Sequence, residues 1–315
     1  MARQSTGSCR QRAFTLVEVI FSILLIAILI SISIVGIQAA SRSAQASADR
    51  QAVLSLKVGV ESFKQEFGFL PPLAKGEVPP GSEEPFLTSD QRANVYNPSV
   101  ASDLNFLRGR TGAADGAAIS DDSAFRFSRQ SLPFYLGGIL DANADGVDGP
   151  GFRAPRRDGT FASSGPSYQP FVDTSKKSLR AWPSSDSSRP YVVEFRDRAG
   201  IAIRYYRWVK ESDAEIARSG LRALNIPKVL GDPTSDADER ASPADANPLL
   251  RDAEFAIVAA GPNRVFGDIK IGGTDKGTGT ESLVEIRRTL GLPSSRTDIA
   301  VEQEGRKDNI VEVGR

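Results

Sequence analysis

Between Phe14 and Ile37 the chain reads FTLVEVIFSILLIAILISISIVGI, with Glu18 as its single charged residue. Twenty-four residues at a rise of ~1.5 Å give a helix of roughly 36 Å, enough to cross a hydrocarbon layer of about 30 Å. Residues 1–13, MARQSTGSCRQRA, precede it with Arg3, Arg10 and Arg12 and no acid. A basic leader stays cytoplasmic, which sends the C-terminal bulk outward. The run reads as a membrane segment.

Three explanations compete for it. A cleaved secretory signal has a small-residue site to offer in Ala46-Ser47-Ala48. Its apolar core is usually about 7–15 residues, however, and Val19–Ile37 is longer than that. A lipoprotein signal fails because Cys9 precedes the apolar run. A plain signal anchor fits the length but leaves Glu18 as an unexplained cost of roughly 2.5–3.5 kcal/mol near mid-membrane.

The third explanation accounts for Glu18. Arg12-Ala13-Phe14-Thr15-Leu16-Val17-Glu18 resembles the processing site of type IV pilins and type II secretion pseudopilins. In that family a basic leader ends in a small residue, usually Gly and here Ala13. Cleavage exposes an aromatic first residue, here Phe14, and a Glu stands fifth in the mature chain, here Glu18. The resemblance implies a prepilin peptidase as processing partner, with Ala13 and Phe14 as the processing and methylation residues. It also implies assembly with other pseudopilin subunits on an inner-membrane platform driven by a cytoplasmic ATPase. An α-amine on Phe14 is cationic and Glu18 anionic. Each alone is costly among apolar helices, whereas a well-placed pair offsets much of the desolvation. Glu18 of an incoming subunit is therefore expected to meet the Phe14 amine of a neighbour and set axial register; the bland alternative is a Glu18 that snorkels to the interface.

Composition narrows the chemistry left for the remainder. There is no His, one Cys and one Met. That removes the commonest general base, the Ser-His-Asp triad and most zinc sites, and a single Cys closes no intrachain disulfide. Lys plus Arg equals Asp plus Glu at 39 each, which speaks against a broad cationic surface for nucleic acid. Carboxylate-only catalysis survives. Met1 and Cys9 both lie in the leader, so a chain starting at Phe14 has no Met, Cys or His, and 36 basic residues against 39 acids.

After Ile37 no Gly or Pro interrupts the chain until Gly59. Val53, Leu56, Val60, Phe63 and Phe67 recur at steps of three and four, an amphipathic helical stripe. Gly68 stands where a left-handed cap belongs, and Leu70-Pro71-Pro72 forbids continuation. One helix is expected from about residue 14 to 67, apolar all round in its first half. The organisation follows: leader 1–13, membrane segment 14–37, amphipathic stem 38–68 and a periplasmic head 69–315.

The head is less legible. Residues 74–124, 173–189 and 232–248 are Pro-, Ser- and Asp-rich and read as long loops. Residues 191–195 and 201–209 flank Asp197-Arg198-Ala199-Gly200 as a β-hairpin, residues 255–260 form a third strand before Gly261-Pro262, and a helix is expected over 213–224. Three antiparallel strands packed on the stem make an α+β head. Phe255–Asn263, followed by Phe266-Gly267-Asp268, resembles the strand and S-A-G-P-D-G turn of the major pseudopilin, with Ala260 for the usual Ser and Asn263 for the usual Asp.

Asp141, Asn143 and Asp145, with Gly146 behind them and Asp148 as a further donor, match the first half of a calcium loop. Phe152 stands where the closing carboxylate belongs, so a solvated Asp/Asn/Gly turn remains open. Glu83-Glu84 and Asp121-Asp122 sit in polar loop sequence and read as surface charge. The mix of Tyr205, Tyr206 and Trp208 with Arg204 and Arg207 reads as core aromatics with arginines at the edge. The reading is a non-enzymatic filament subunit in the bacterial inner membrane, of the pseudopilin kind. Alternatives are a type IV pilin for adhesion, motility or DNA uptake, and a signal-anchored periplasmic binding protein or carboxylate-dependent hydrolase.

Overall fold

The computed structural model describes residues 16–73, 127–138, 145–157, 159–175, 179, 181–183, 193–207, 230, 248–267 and 281–315. It is α+β. Helix α1 spans Leu16–Phe67, 52 residues without interruption. Gly68 ends it with φ at +75° and its N–H on the Lys64 carbonyl at 2.8 Å. A left-handed residue is nearly free of cost for Gly and closes the helix by satisfying a terminal carbonyl. Residues 1–44 and 45–315 form two units, and the stem stripe belongs to the second.

Short elements follow α1: β1 (Phe127–Ser128), α2 (Ser131–Leu136), β2 (Phe152–Arg153), β3 (Ser167–Tyr168), β4 (Ala181–Pro183), β5 (Val193–Phe195) and β6 (Arg204–Arg207). Beyond them lie α3 (Pro248–Asp252), β7 (Phe255–Ala259), a 3₁₀ turn (Gly261–Asn263), α4 (Leu283–Leu290), α5 (Asp298–Arg306) and β8 (Ile310–Gly314). The main sheet has four antiparallel strands in the order β1-β6-β7-β8. Its centre is β7, with Ile257 opposite Tyr205 on one side and Glu312 on the other.

Every residue of β7 is buried, because both faces of the sheet are covered. Phe255, Ile257 and Ala259 share one core with Val53, Leu56, Val60 and Phe63 of the stem, while Ala256, Val258 and Ala260 share a second with Tyr206, Leu250 and Phe266. Alternation along a strand sends successive side chains to opposite faces. Tyr205 and Tyr206 divide between the two cores in the same way. The stripe predicted for the stem is thus the surface that buries the sheet. Phe63 also sits among Phe67, Phe69, Tyr135 and Phe171, with ring centroids 4.8–6.0 Å away, so these aromatics surround the end of the helix.

Four expectations change. Residues 193–195 do not extend the main sheet but pair with β4, which places a strand inside the expected 173–189 loop. The hairpin survives at its tip, through Asp197 N–H on Ile201 O and the Arg196–Ala202 bridge. β1 and β8 take the sheet positions left over, and β8 was not expected. Arg204 is buried rather than at an edge: its guanidinium lies 3.7 Å from the Phe266 ring centroid and 4.5 Å from that of Phe127, and donates to Tyr206 Oη. Among the described residues no helix is long and apolar enough to cross a membrane, so the fold does not establish the span expected over 14–37. The 213–224 helix and the whole of the 74–124 loop lie outside the described residues.

Candidate functional site

The first turns of α1 are built almost wholly from Leu, Ile and Val. β-branched residues are mediocre helix formers in water, yet the helix carries them without a break. Their side chains are exposed around the axis: Leu16, Phe21, Ile28, Ile32 and Ile37 all leave roughly half or more of their surface open. The polar groups within the run are handled locally. Ser31 Oγ donates to Ala27 O and Ser33 Oγ to Leu29 O, each at 2.8 Å. Hydroxyls bonded one turn back in this way leave the helix with an apolar exterior. Glu18 lies in the first turn of α1. Ala13 and Phe14 lie outside the described residues.

Two of the four calcium candidates lie among the described residues. Asp145 is fully buried, and its Oδ1 accepts the Val147 N–H at 3.0 Å. Asp148 is exposed. Gly146 and Gly149 take φ of +85° and +91°, which gives the tight turn read from the sequence. Asp141 and Asn143 lie outside the described residues, and among those described no three acidic or thiol side chains converge. Of the other charged candidates, Glu83, Glu84, Asp121 and Asp122 also lie outside them.

The turn after β7 is held by Asn263. Its Nδ2 donates to Gly305 O at 2.7 Å, and its Oδ1 accepts the Val265 N–H at 3.2 Å. Glu281 receives the Phe266 N–H, and Arg306, paired with Glu302, donates to Gly267 O. α5 is therefore clamped onto the Gly261–Gly267 turn by neutral and ionic hydrogen bonds. Sequence reading missed this partnership, because nothing in residues 298–306 marks them as a lid for a turn some forty residues earlier. It also missed Asp49 and Asp197, two buried carboxylates at the junction of stem and hairpin.

Comparison with known proteins bears on the helix. Residues 8–34 match the prokaryotic N-terminal methylation motif, the signature of type IV pilins and pseudopilins. The N-terminal segment is therefore similar to that of type IV pilin-like and pseudopilin precursors. That motif implies processing by a prepilin peptidase, assembly with other pilin-like subunits and a membrane-anchored N-terminus. No curated protein and no solved structure matches the chain.

Proposed function

We propose that this chain is a structural subunit of a type II secretion pseudopilus, cleaved after Ala13, anchored in the inner membrane by residues 14–37 and assembled through α1. The observation that carries the reading is the conjunction of the methylation motif over 8–34 with a helix that continues unbroken into the core of a folded head. A leader removed by an ordinary signal peptidase would not be spliced to the element that buries the main sheet. The exposed Leu, Ile and Val side chains of Leu16–Ile37 supply a surface for lipid before assembly and for sister helices after it. In this reading Glu18 pairs with the Phe14 α-amine of a neighbour, and the head faces the periplasm. The work is mechanical, so no catalytic residue is assigned.

The pseudopilin form is favoured over an adhesive pilin by the strand and turn over Phe255–Gly267, which resemble those of the major pseudopilin. Here the turn is closed by Asn263 and α5. The test is Glu18→Ala in the full chain, co-expressed with a prepilin peptidase and an assembly platform. Processing intact with assembled filament lost supports the role of Glu18, and normal filaments from the variant refute it. Restoration of protein export, rather than of adhesion or surface motility, in a strain lacking its major pseudopilin separates the two filament classes.

A further inference from the structure

Asp49 of α1 and Asp197 at the start of the hairpin turn are 3% and 6% exposed, although one belongs to the stem and the other to the head sheet's connection. Asp49 Oδ1 accepts the Arg198 N–H at 2.9 Å, and Asp197 Oδ1 accepts the Ile201 N–H at 2.8 Å. Each carboxylate is left with an Oδ2 that is buried and has no hydrogen-bond donor. An orphaned oxygen of this kind is costly on an ion and costs far less on a protonated acid, which also gains an O–H to donate. We propose that Asp49 and Asp197 are held as neutral acids by their burial and form a latch between α1 and the 197–200 turn, a latch that holds under mildly acid conditions and loosens as the two acids ionise.

The groups facing the pair come from three elements. From α1 comes Asp49 itself; from the hairpin, Asp197, the exposed Arg198 and the N–H groups of Ala199 and Ile201; from the 3₁₀ turn, the N–H of Gly261. Arg198 is the cation that acts on Asp49, and its exposure to solvent screens it. The Asp197 carboxyl is pushed up to about 6, chiefly by burial and also by the neighbouring Asp49 charge, with the backbone N–H groups opposing. Asp49 is likewise raised, chiefly by burial. Two carboxylates that share a site cannot both ionise cheaply, and their apparent titration belongs to the pair.

An acid whose folded value lies above its unfolded one stabilises the fold below the unfolded value, and that stability is lost as pH rises through the folded value. For Asp197 the window runs from the ordinary 3.8 to about 6. The latch is a property of the folded chain and does not depend on what that chain assembles into.

Thermal unfolding of the full chain in detergent micelles, from about pH 4 to about pH 7, tests it against Asp197→Asn and Asp49→Asn. Each Asn keeps the Oδ1 acceptor and carries no charge. The expected result is a variant Tm above the wild type by roughly 2–6 °C near pH 7, closing to nothing near pH 4. Should one variant fail to fold, the other decides alone. Parallel curves, or a wild type more stable than the folded variants near neutrality, would overturn the latch. So would a wild-type Tm raised by millimolar calcium and lowered by EDTA in a manner lost in both variants, since the pair would then hold a metal ion and not a proton.

Discussion

Asn263 Nδ2 lies 2.7 Å from the carbonyl oxygen of Gly305, which ties the turn after β7 to the last turn of α5. The amide is used at both ends, because Oδ1 takes the Val265 N–H. A carboxylate keeps the acceptor but loses the donor, and sets negative charge against a carbonyl. Asn263→Asp, the residue usual at this place in the major pseudopilin, should therefore destabilise the chain by about 1–3 kcal/mol. Denaturant unfolding checks it. Equal midpoints for the two proteins would show that the amide donor contributes nothing.

Phe63 is fully buried and touches four other aromatic rings, in the core it shares with Phe255 and Ile257 of the sheet. Phe63→Ala removes those contacts and leaves a cavity between two layers that are held apart by the helix. The expected loss is about 3–5 kcal/mol, read as a lowered Tm of the full chain. Val58, on the opposite side of the same helix and 59% exposed, should accept Ala with a change of less than about 0.5 kcal/mol.

Arg204 is stacked between Phe266 and Phe127 and bonded to Tyr206. A planar, weakly hydrated cation suits that slot, and an ammonium does not. Arg204→Lys should cost about 1–2 kcal/mol despite retaining the charge. A variant as stable as the parent would show that the ring faces contribute little.

These contacts mark how far the sequence could be read. The stem was legible because Val53, Leu56, Val60 and Phe63 repeat at helical spacing and Gly68 follows with the geometry a cap requires. β6 and β7 were legible as apolar runs between Gly-bearing turns. β8 was not, since Ile310–Gly314 is short and carries Glu312, whose charge is met by Lys57 of the stem at 3.8 Å. The true neighbours of β6 were hidden for a related reason: β1 is two residues long, and its pairing is decided by chain closure, not by local pattern. Burial of Asp49 depends on Arg198, 149 residues away, and no periodicity in residues 38–52 reports it. The N-terminal processing residues were the opposite case, because a peptidase reads them as a contiguous segment.

Calcium at the 141–148 loop has its own test. Asp145 is buried, with one oxygen accepting the Val147 N–H. If the loop holds calcium, the ion should raise the Tm of the wild type by several degrees and leave Asp145→Ala unmoved. Identical melts in calcium and in EDTA for the wild type would remove the metal and leave Asp145 as the residue that shapes the turn.

A pilin-like subunit is defined above all by where its mature chain begins. Co-expression of the full chain with a prepilin peptidase, followed by N-terminal sequencing and mass measurement, addresses that directly. The prediction is a start at Phe14, with loss of Met1, Cys9 and the three leader arginines, blocked when Ala13 is replaced by a bulky residue. An uncleaved N-terminus, or a start at Asp49 after the Ala46-Ser47-Ala48 segment, would contradict it.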